Sequence, residues 1–359
     1  MNTAAIEVGT ASPYTVTIGH GLLDTVGEAA AAILPPTEAV VVSDSNVAPL
    51  YAERLENSLR AAGWQVLRST VPAGEGSKRL SVTEQLLNDW ACGGIHRDSA
   101  VFTLGGGVVG DLGGFAAAIY QRGIPFIQVP TTLLAMVDSS VGGKTAVDIV
   151  SGKNLAGCFW QPRAVICDVD LIRTMDPLYF ADGVAESIKT GVLTSAELLS
   201  RFAASPAKPD SADLDRISEV CIRYKNRIVS GDERDTGMRG LLNLGHTIGH
   251  AIEHASRFSV SHGHGVAAGL AVMARGCEKL GLTAAGTTDS ICAALAMNGL
   301  PTNTDFAADV LLDAARRDKK ASSDGITIVV LESVERCTLK KITFDELGTI
   351  IALGKEPLS

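Results

Sequence analysis

With 359 residues, 46% of them hydrophobic, the chain can bury a large apolar interior and is too long for one simple core, so two domains are expected. Charged residues make up 20%, and a net charge of -9 with no basic arm or stripe argues against a nucleic-acid partner. The opening Met1-Asn-Thr-Ala-Ala-Ile-Glu-Val lacks the basic and apolar regions of a signal peptide, and no apolar run reaches membrane-spanning length; a cytoplasmic protein with no membrane partner is expected.

Ala39-Val-Val-Val-Ser43 reads as a strand stopped by Ser43-Asp44-Ser45-Asn46, and an amphipathic helix follows from Leu50 to Ala62. The pattern repeats with the strand Trp64–Arg68, a loop at Pro72 to Gly76, a helix from about Lys78 to Trp90 and the strand Ala100–Leu104. Alternating strands and helices predict a parallel sheet covered on both faces. From about Pro177 helical patterns dominate until Ile326–Leu331, with an exposed connection at Ala203 to Asp215. The expected architecture is an α/β N-terminal nucleotide-binding domain with a Rossmann-like parallel sheet, residues 1–177, and a mostly α-helical metal- and substrate-binding domain, residues 178–359. Seven scattered cysteines without C-x-x-C spacing read as buried thiols, neither disulfides nor zinc ligands.

After the third of these strands, Gly105-Gly106-Gly107-Val-Val-Gly110-Asp111 matches G-x-G-x-x-G. Such glycines let backbone amides approach a pyrophosphate at a helix N-terminus, and they equally allow tight helix–sheet packing. Asp44, ending the first strand, suits a ribose hydroxyl and equally an N-cap or Asx turn. Asp138, Lys144, Lys153 and Asn154 stand among glycines; ammonium groups pair with carboxylate or phosphate, while Asp and Asn read hydroxyls, so a polyhydroxylated anionic ligand fits. Glu186 and Lys189 fall at i, i+3 on a helix, the spacing of an ordinary ion pair. Finally, His246, His250, His254, His262 and His264 crowd one short stretch. The first three recur every four residues, so one helical face could present three imidazoles to a metal or phosphate. Thr247 stands where a zinc protease has its Glu, which weakens a protease reading.

The runs Gly105 to Pro162, Ala185-Glu186 to Lys189-Thr-Gly191, Arg239 to Glu253 and His262-Gly263 together resemble the 3-dehydroquinate synthase family, within the sugar phosphate cyclases, over most of the chain. The resemblance implies a homodimeric, NAD- and zinc-dependent lyase of the shikimate pathway, with Co2+ as another possible metal. It would convert 3-deoxy-D-arabino-heptulosonate 7-phosphate into 3-dehydroquinate and phosphate. By the same resemblance the metal ligands are Glu186, His246 and His262, which replaces the pairing of His246 with His250. His250 then helps bind phosphate with Asn243 and Lys144, and Arg122 reaches phosphate from the partner subunit. Asp138, Asn154, Lys189, Lys225 and Arg239 meet substrate carboxylate or hydroxyls, joined by Lys319 or Lys320. NAD lies on Asp44, Glu75, Lys78, Gly106, Gly107, Asp111, Thr131 and Thr132, with Lys153 beside them.

Two positions depart from the family's usual pattern: His264, where Glu is common, and Asp235, also commonly Glu. They leave open a related cyclase acting on another sugar phosphate. A metal-dependent polyol dehydrogenase, which would release NADH, is a further alternative, and a non-catalytic metabolite-binding protein a third.

Overall fold

The computed structural model describes residues 3–317, 321–322 and 325–358. The chain forms two compact units, one from residues 1–175 with 212–234, the other from 176–211 with 235–359. The helix Leu214–Gly231, assigned by sequence to the second domain, thus counts with the first. Its pattern is that of any amphipathic helix and carries no mark of which core it covers.

The first unit is built on a seven-stranded sheet ordered β1-β2-β9-β6-β5-β3-β4. Its strands are β1 (Ala4–Val8), β2 (Tyr14–Gly19), β3 (Glu38–Asp44), β4 (Gln65–Val71), β5 (Ala100–Gly105), β6 (Phe126–Pro130) and β9 (Ala164–Asp168). All neighbours run parallel except β1 against β2. That N-terminal hairpin precedes the three strands read from sequence, so the glycine-rich run follows the fifth strand of the chain. The separate hairpin of β7 (Lys144–Ile149) and β8 (Gly152–Phe159) completes the unit's strands. Central strands are buried along their length, as a doubly covered sheet requires.

The helix Gly107–Ile119 is apolar nearly all round and buries Val109, Leu112, Phe115 and Ala116. Glycines set how closely it lies. A Cβ on Gly113 would stand 2.5 Å from Thr103 Cγ2, and one on Gly114 2.6 Å from Thr145 Cγ2. Gly113→Ala should therefore lower stability by roughly 1–3 kcal/mol through overpacking. A Cβ on Gly231 meets nothing within 4 Å, and Gly231→Ala should be neutral or slightly stabilising. Paired urea melts check both, and equal midpoints would refute the packing account.

The second unit is helical with a three-stranded antiparallel sheet of β10 (Ala321–Ser322), β11 (Gly325–Ser333) and β12 (Arg336–Ile342). Helix Pro177–Thr194 starts with the Asp176 side chain accepting from the Leu178 amide at 2.8 Å, Pro177 occupying a first-turn position whose amide has no helical partner. Helices His246–Ala255 and His262–Lys279 meet through two glycine pairs: a Cβ on Gly269 would fall 2.3 Å from the Gly245 carbonyl, and one on Gly249 3.1 Å from Gly265. The histidines at the starts of both helices are thereby brought near one another. Ile248, Ile252, Val272 and Met273 continue the contact into a core shared with Ile326, Ile328 and Val330. All seven cysteines are free, yet only Cys167, Cys221 and Cys277 are buried and Cys92 is exposed. Among the described residues no helix is long and apolar enough to cross a membrane.

Candidate nucleotide and metal sites

From β3 the chain passes outward to β4 and then returns to the other side of β3 to form β5. Open parallel sheets bind ligands beyond the carboxyl ends of their strands at such a switch. Ser43 pairs with Leu104 and Gly105 with Pro130, so Asp44, the loop glycines, Thr131 and Thr132 end three neighbouring strands. Gly106 caps the helix that starts at Gly107; Cβ atoms on these two would stand 3.0 Å from Thr132 Cγ2 and Ser139 Oγ respectively. The first amides of a helix have no partner within it, and such a helix start suits an anion. The Thr131 hydroxyl is buried without a hydrogen-bond partner, a group that a bound molecule would satisfy. The packing reading holds for Gly113 and Gly114, while Gly106 and Gly107 stand at the switch. Asp44 accepts through Oδ1 from the Asn46 and Val47 amides at 2.8 and 3.0 Å, so this oxygen serves an Asx turn.

Lys78 is buried, its ammonium 2.5 Å from Asp111 Oδ2 and donating to Asn154 Oδ1 at 2.5 Å. Burial works to lower its pKa, but the Asp111 carboxylate outweighs it and the net shift is upward. Asn154 adopts φ 56 and donates its amide to Asp148 Oδ1, while the Asp148 amide donates to the Lys78 carbonyl. The β7–β8 hairpin is so tied to the Glu75–Ser77 turn, with Lys153 3.9 Å from Glu75. Lys144 opens β7, exposed, after Gly142 and Gly143 at positive φ. Lys225 donates to the Asp138 carbonyl at 2.6 Å and to its carboxylate at 2.7 Å. Arg122 is exposed on a turn where Gln121 and Arg122 both adopt positive φ, 47 and 70, at a cost of roughly 1–3 kcal/mol each.

In the second unit Glu186, His246 and His262 bring one ligand atom each within 4.8 Å of one another. Glu186 Oε1 lies 3.5 Å from His246 Nε2 and 3.4 Å from His262 Nε2. The remaining ring nitrogens are engaged: His246 Nδ1 with the Leu244 carbonyl at 3.2 Å, His262 Nδ1 with Glu253 Oε2 at 3.2 Å. Donation from both Nδ1 atoms turns both Nε2 atoms toward Glu186, the outer bonding that orients histidine ligands. Lys189 lies 2.5 Å from Glu186 Oε2, but neither carboxylate oxygen takes a properly directed hydrogen bond although both are buried. Two imidazoles and an unsatisfied buried carboxylate fit a divalent, zinc-type cation. A second group, His250 with Glu253 and His262, is also close enough. It would need the Glu253 carboxylate that otherwise orients His262, so the first set is the better site.

Burial raises the Glu186 pKa, but Lys189 and the histidines outweigh it and hold the group well below its usual range. Burial keeps His246 neutral, its pKa far below the ordinary value. His262 goes the other way: burial opposes its charge, but the neighbouring Glu186 and Glu253 carboxylates push it up to about 10. A ligand imidazole must be neutral, so loading a cation near pH 7 should release about one proton, and metal affinity should climb with pH until that value is passed. Titrating Zn2+ into weakly buffered protein with a pH indicator measures this; proton uptake or none would count against the ligand set.

Four-residue spacing does not assemble all three helix histidines. His254 is exposed beside Phe258, whereas His250 stays close, its ring 5.3 Å from His246 and 6.0 Å from His262. Four residues advance a helix by more than one turn, and the drift carries His254 off the face. Lys189 also donates to the Leu242 carbonyl at 2.8 Å, and Asn243 to that of Gly240 at 3.1 Å. Arg239 is buried on the same short turn, Met238–Asn243. Asp235 adopts φ 58, a conformation Asp tolerates better than most side chains. The Asp318-Lys319-Lys320 stretch lies outside the described residues. Glu253 and Asp182 carry no role in the sequence reading, because what marks them is a contact across the fold and not a spacing.

Fold and ligand sets define a two-unit protein that combines a nucleotide-type parallel sheet with a helical candidate metal centre. Models of the N-terminal and C-terminal parts of 3-dehydroquinate synthase match residues 68–182 and 183–321. The chain belongs to the 3-dehydroquinate synthase family. It is 38% identical to the 3-dehydroquinate synthase of Clostridium acetobutylicum, with 96% of this chain and 98% of that protein covered. The identity is 43% to that of Bradyrhizobium diazoefficiens, over 91% and 90% of the two chains. Among solved structures it is similar in fold to 2-deoxy-scyllo-inosose synthase complexed with carbaglucose-6-phosphate, NAD+ and Co2+ (TM-score 0.86, 24% identity, 98% and 99% covered). A sulfoacetaldehyde reductase from Bifidobacterium kashiwanohense in complex with NAD+ shares the fold more distantly (TM-score 0.68, 16% identity, 95% and 97% covered).

Proposed function

We propose that the chain is a 3-dehydroquinate synthase that binds NAD and a divalent metal, zinc or cobalt, and acts as a cytoplasmic homodimer. The observation that carries the metal reading is the buried Glu186 carboxylate, without directed hydrogen bonds between two Nε2 atoms, in a chain of this family. Gly106, Gly107, Thr131, Thr132, Asp111, Lys78, Asp44, Glu75 and Lys153 would hold NAD, and Glu186, His246 and His262 the metal. When bound, NAD supplies a reversible hydride acceptor and the metal a Lewis acid at the substrate's C5 oxygen.

The remaining chemistry asks the protein for placement of anions. Lys144, Asn243 and His250, with Arg122 from the partner subunit, would hold the phosphate. Asp138, Asn154, Lys189, Lys225 and Arg239 would hold the carboxylate and hydroxyls and so fix ring conformation. Lys225 already has its ammonium placed by the Asp138 carboxylate. With NAD bound, the cofactor would supply a transient oxidation at C5 that acidifies the neighbouring C–H, so that the phosphate could leave with its electron pair while its own oxygen takes up the C–H proton. Ring opening and intramolecular aldol closure finish the carbocycle. Basic groups in this number suit a substrate carrying both carboxylate and phosphate, and a polyol has no use for them.

The test is chelator-stripped protein resupplied with zinc and catalytic NAD, offered each candidate sugar phosphate separately. Release of phosphate from the deoxyheptulosonate phosphate, with 3-dehydroquinate formed and no net NADH, is the expected result. Net NADH would replace the proposal with a dehydrogenase, and turnover of another sugar phosphate alone would replace it with a related cyclase.

A further inference from the structure

We propose that Asp182 is a positioning residue for the metal centre, clasping the helix that carries Glu186 to the start of the helix that carries His262; this rests on the metal reading above. Asp182 is buried one turn before Glu186 on helix Pro177–Thr194. Its Oδ1 accepts from the Ser261 hydroxyl at 2.6 Å and from the His264 amide at 3.2 Å, and meets His264 Nδ1 at 3.0 Å. Those donors flank His262 on both sides. The residue between, Gly263, lies so close that a Cβ on it would stand 2.2 Å from Asp182 Cα and 2.6 Å from its carbonyl oxygen. Backbone contact and three polar contacts to one carboxylate oxygen therefore set the separation of two helices, each contributing one of the proposed ligands. From opposite sides His262 is held by Glu253 through Nδ1 and by this clasp through its neighbours.

Ser261, His264 and Asp182 have the composition of a hydrolytic triad but not its wiring. Ser261 Oγ is 2.8 Å from His264 Nδ1, the same nitrogen that Asp182 meets, so the imidazole cannot relay a proton between them. Their shared target is the Asp182 carboxylate, which is what a clasp needs. The departure at His264 thereby acquires a role: its ring is part of the fastening and is not among the candidate metal ligands.

The test is cobalt binding by the metal-stripped full chain, read as affinity in competition with a chelator and as the visible ligand-field band, beside the melting temperature without metal. Asp182→Ala should weaken Co2+ binding roughly ten- to hundredfold and alter the band, as loss of an outer partner of a metal site does. Asp182→Asn keeps the acceptor oxygen and should stay within about threefold of wild type. If Asp182→Ala does not fold, His264→Ala, at a partly exposed position, carries the test with a smaller loss and the same direction. Wild-type affinity and band in the alanine variants, even with a lowered melting temperature, would overturn the clasp, as would equal losses in the Asn and Ala variants. Failure of wild type itself to take up Co2+ would instead bring down the metal reading and the proposal with it.

Discussion

Glu186→Gln is expected to leave a folded protein that loses its metal on dialysis and falls roughly 10³-fold in kcat/KM. The amide removes the anionic ligand, and the Lewis-acid contribution at stake is several kcal/mol, each 1.36 kcal/mol being about tenfold in rate. Stability moves less simply. Lys189 is buried 2.5 Å from Glu186, and stripping a buried cation of its partner costs about 3–5 kcal/mol when nothing else receives it. Here the Leu242 carbonyl already accepts from the same ammonium at 2.8 Å, so a loss near the low end of that range is expected. Metal content, kcat/KM and urea midpoints taken together decide the matter. A variant that retains full metal and turnover would remove Glu186 from the site.

Lys78→Met should damage the first unit in two separable ways. Asp111 and Asn154 would lose the ammonium now 2.5 Å from each. Because Asp111 keeps 21% of its side chain exposed, the cost should lie nearer about 2 kcal/mol than the 3–5 kcal/mol of a fully buried broken pair. NAD affinity should also fall, since the hairpin carrying Asn154 and Lys153 is tied to the turn beside Lys78. Adding Asp111→Leu removes the unpaired carboxylate and should recover stability without recovering NAD binding. Titration of NAD by fluorescence alongside urea melts separates the effects. Restored NAD binding in the double variant would show the pair to be structural only.

Local chemistry was readable where one stretch of chain supplies all of it. The apolar runs 39–43 and 100–104 appear as β3 and β5 within a residue or two, because strands buried on both faces must be apolar throughout. The Ala203 to Asp215 connection likewise falls between helices Ala196–Ala204 and Leu214–Gly231. Less readable were the β1–β2 hairpin, whose alternation is short, and the helix Leu214–Gly231, whose amphipathic pattern does not say which core it joins. In the histidine cluster, spacing alone grouped His246, His250 and His254, whereas Glu186, His246 and His262 converge.

By itself the sequence determined the β3, β4, β5 and β11 strands, the glycine-rich helix start and the resemblance that pointed to Glu186, His246 and His262, since these depend on residue identity along the chain. Only the tertiary structure decided that Gly245, Gly249, Gly265 and Gly269 let two helices close on each other. The same holds for Glu253 and the Leu244 carbonyl, which turn the imidazoles toward Glu186, and for Asp182 behind His262. Backbone approach and hydrogen-bond direction are properties of pairs distant in sequence, and each such contact exists only once the helices have packed.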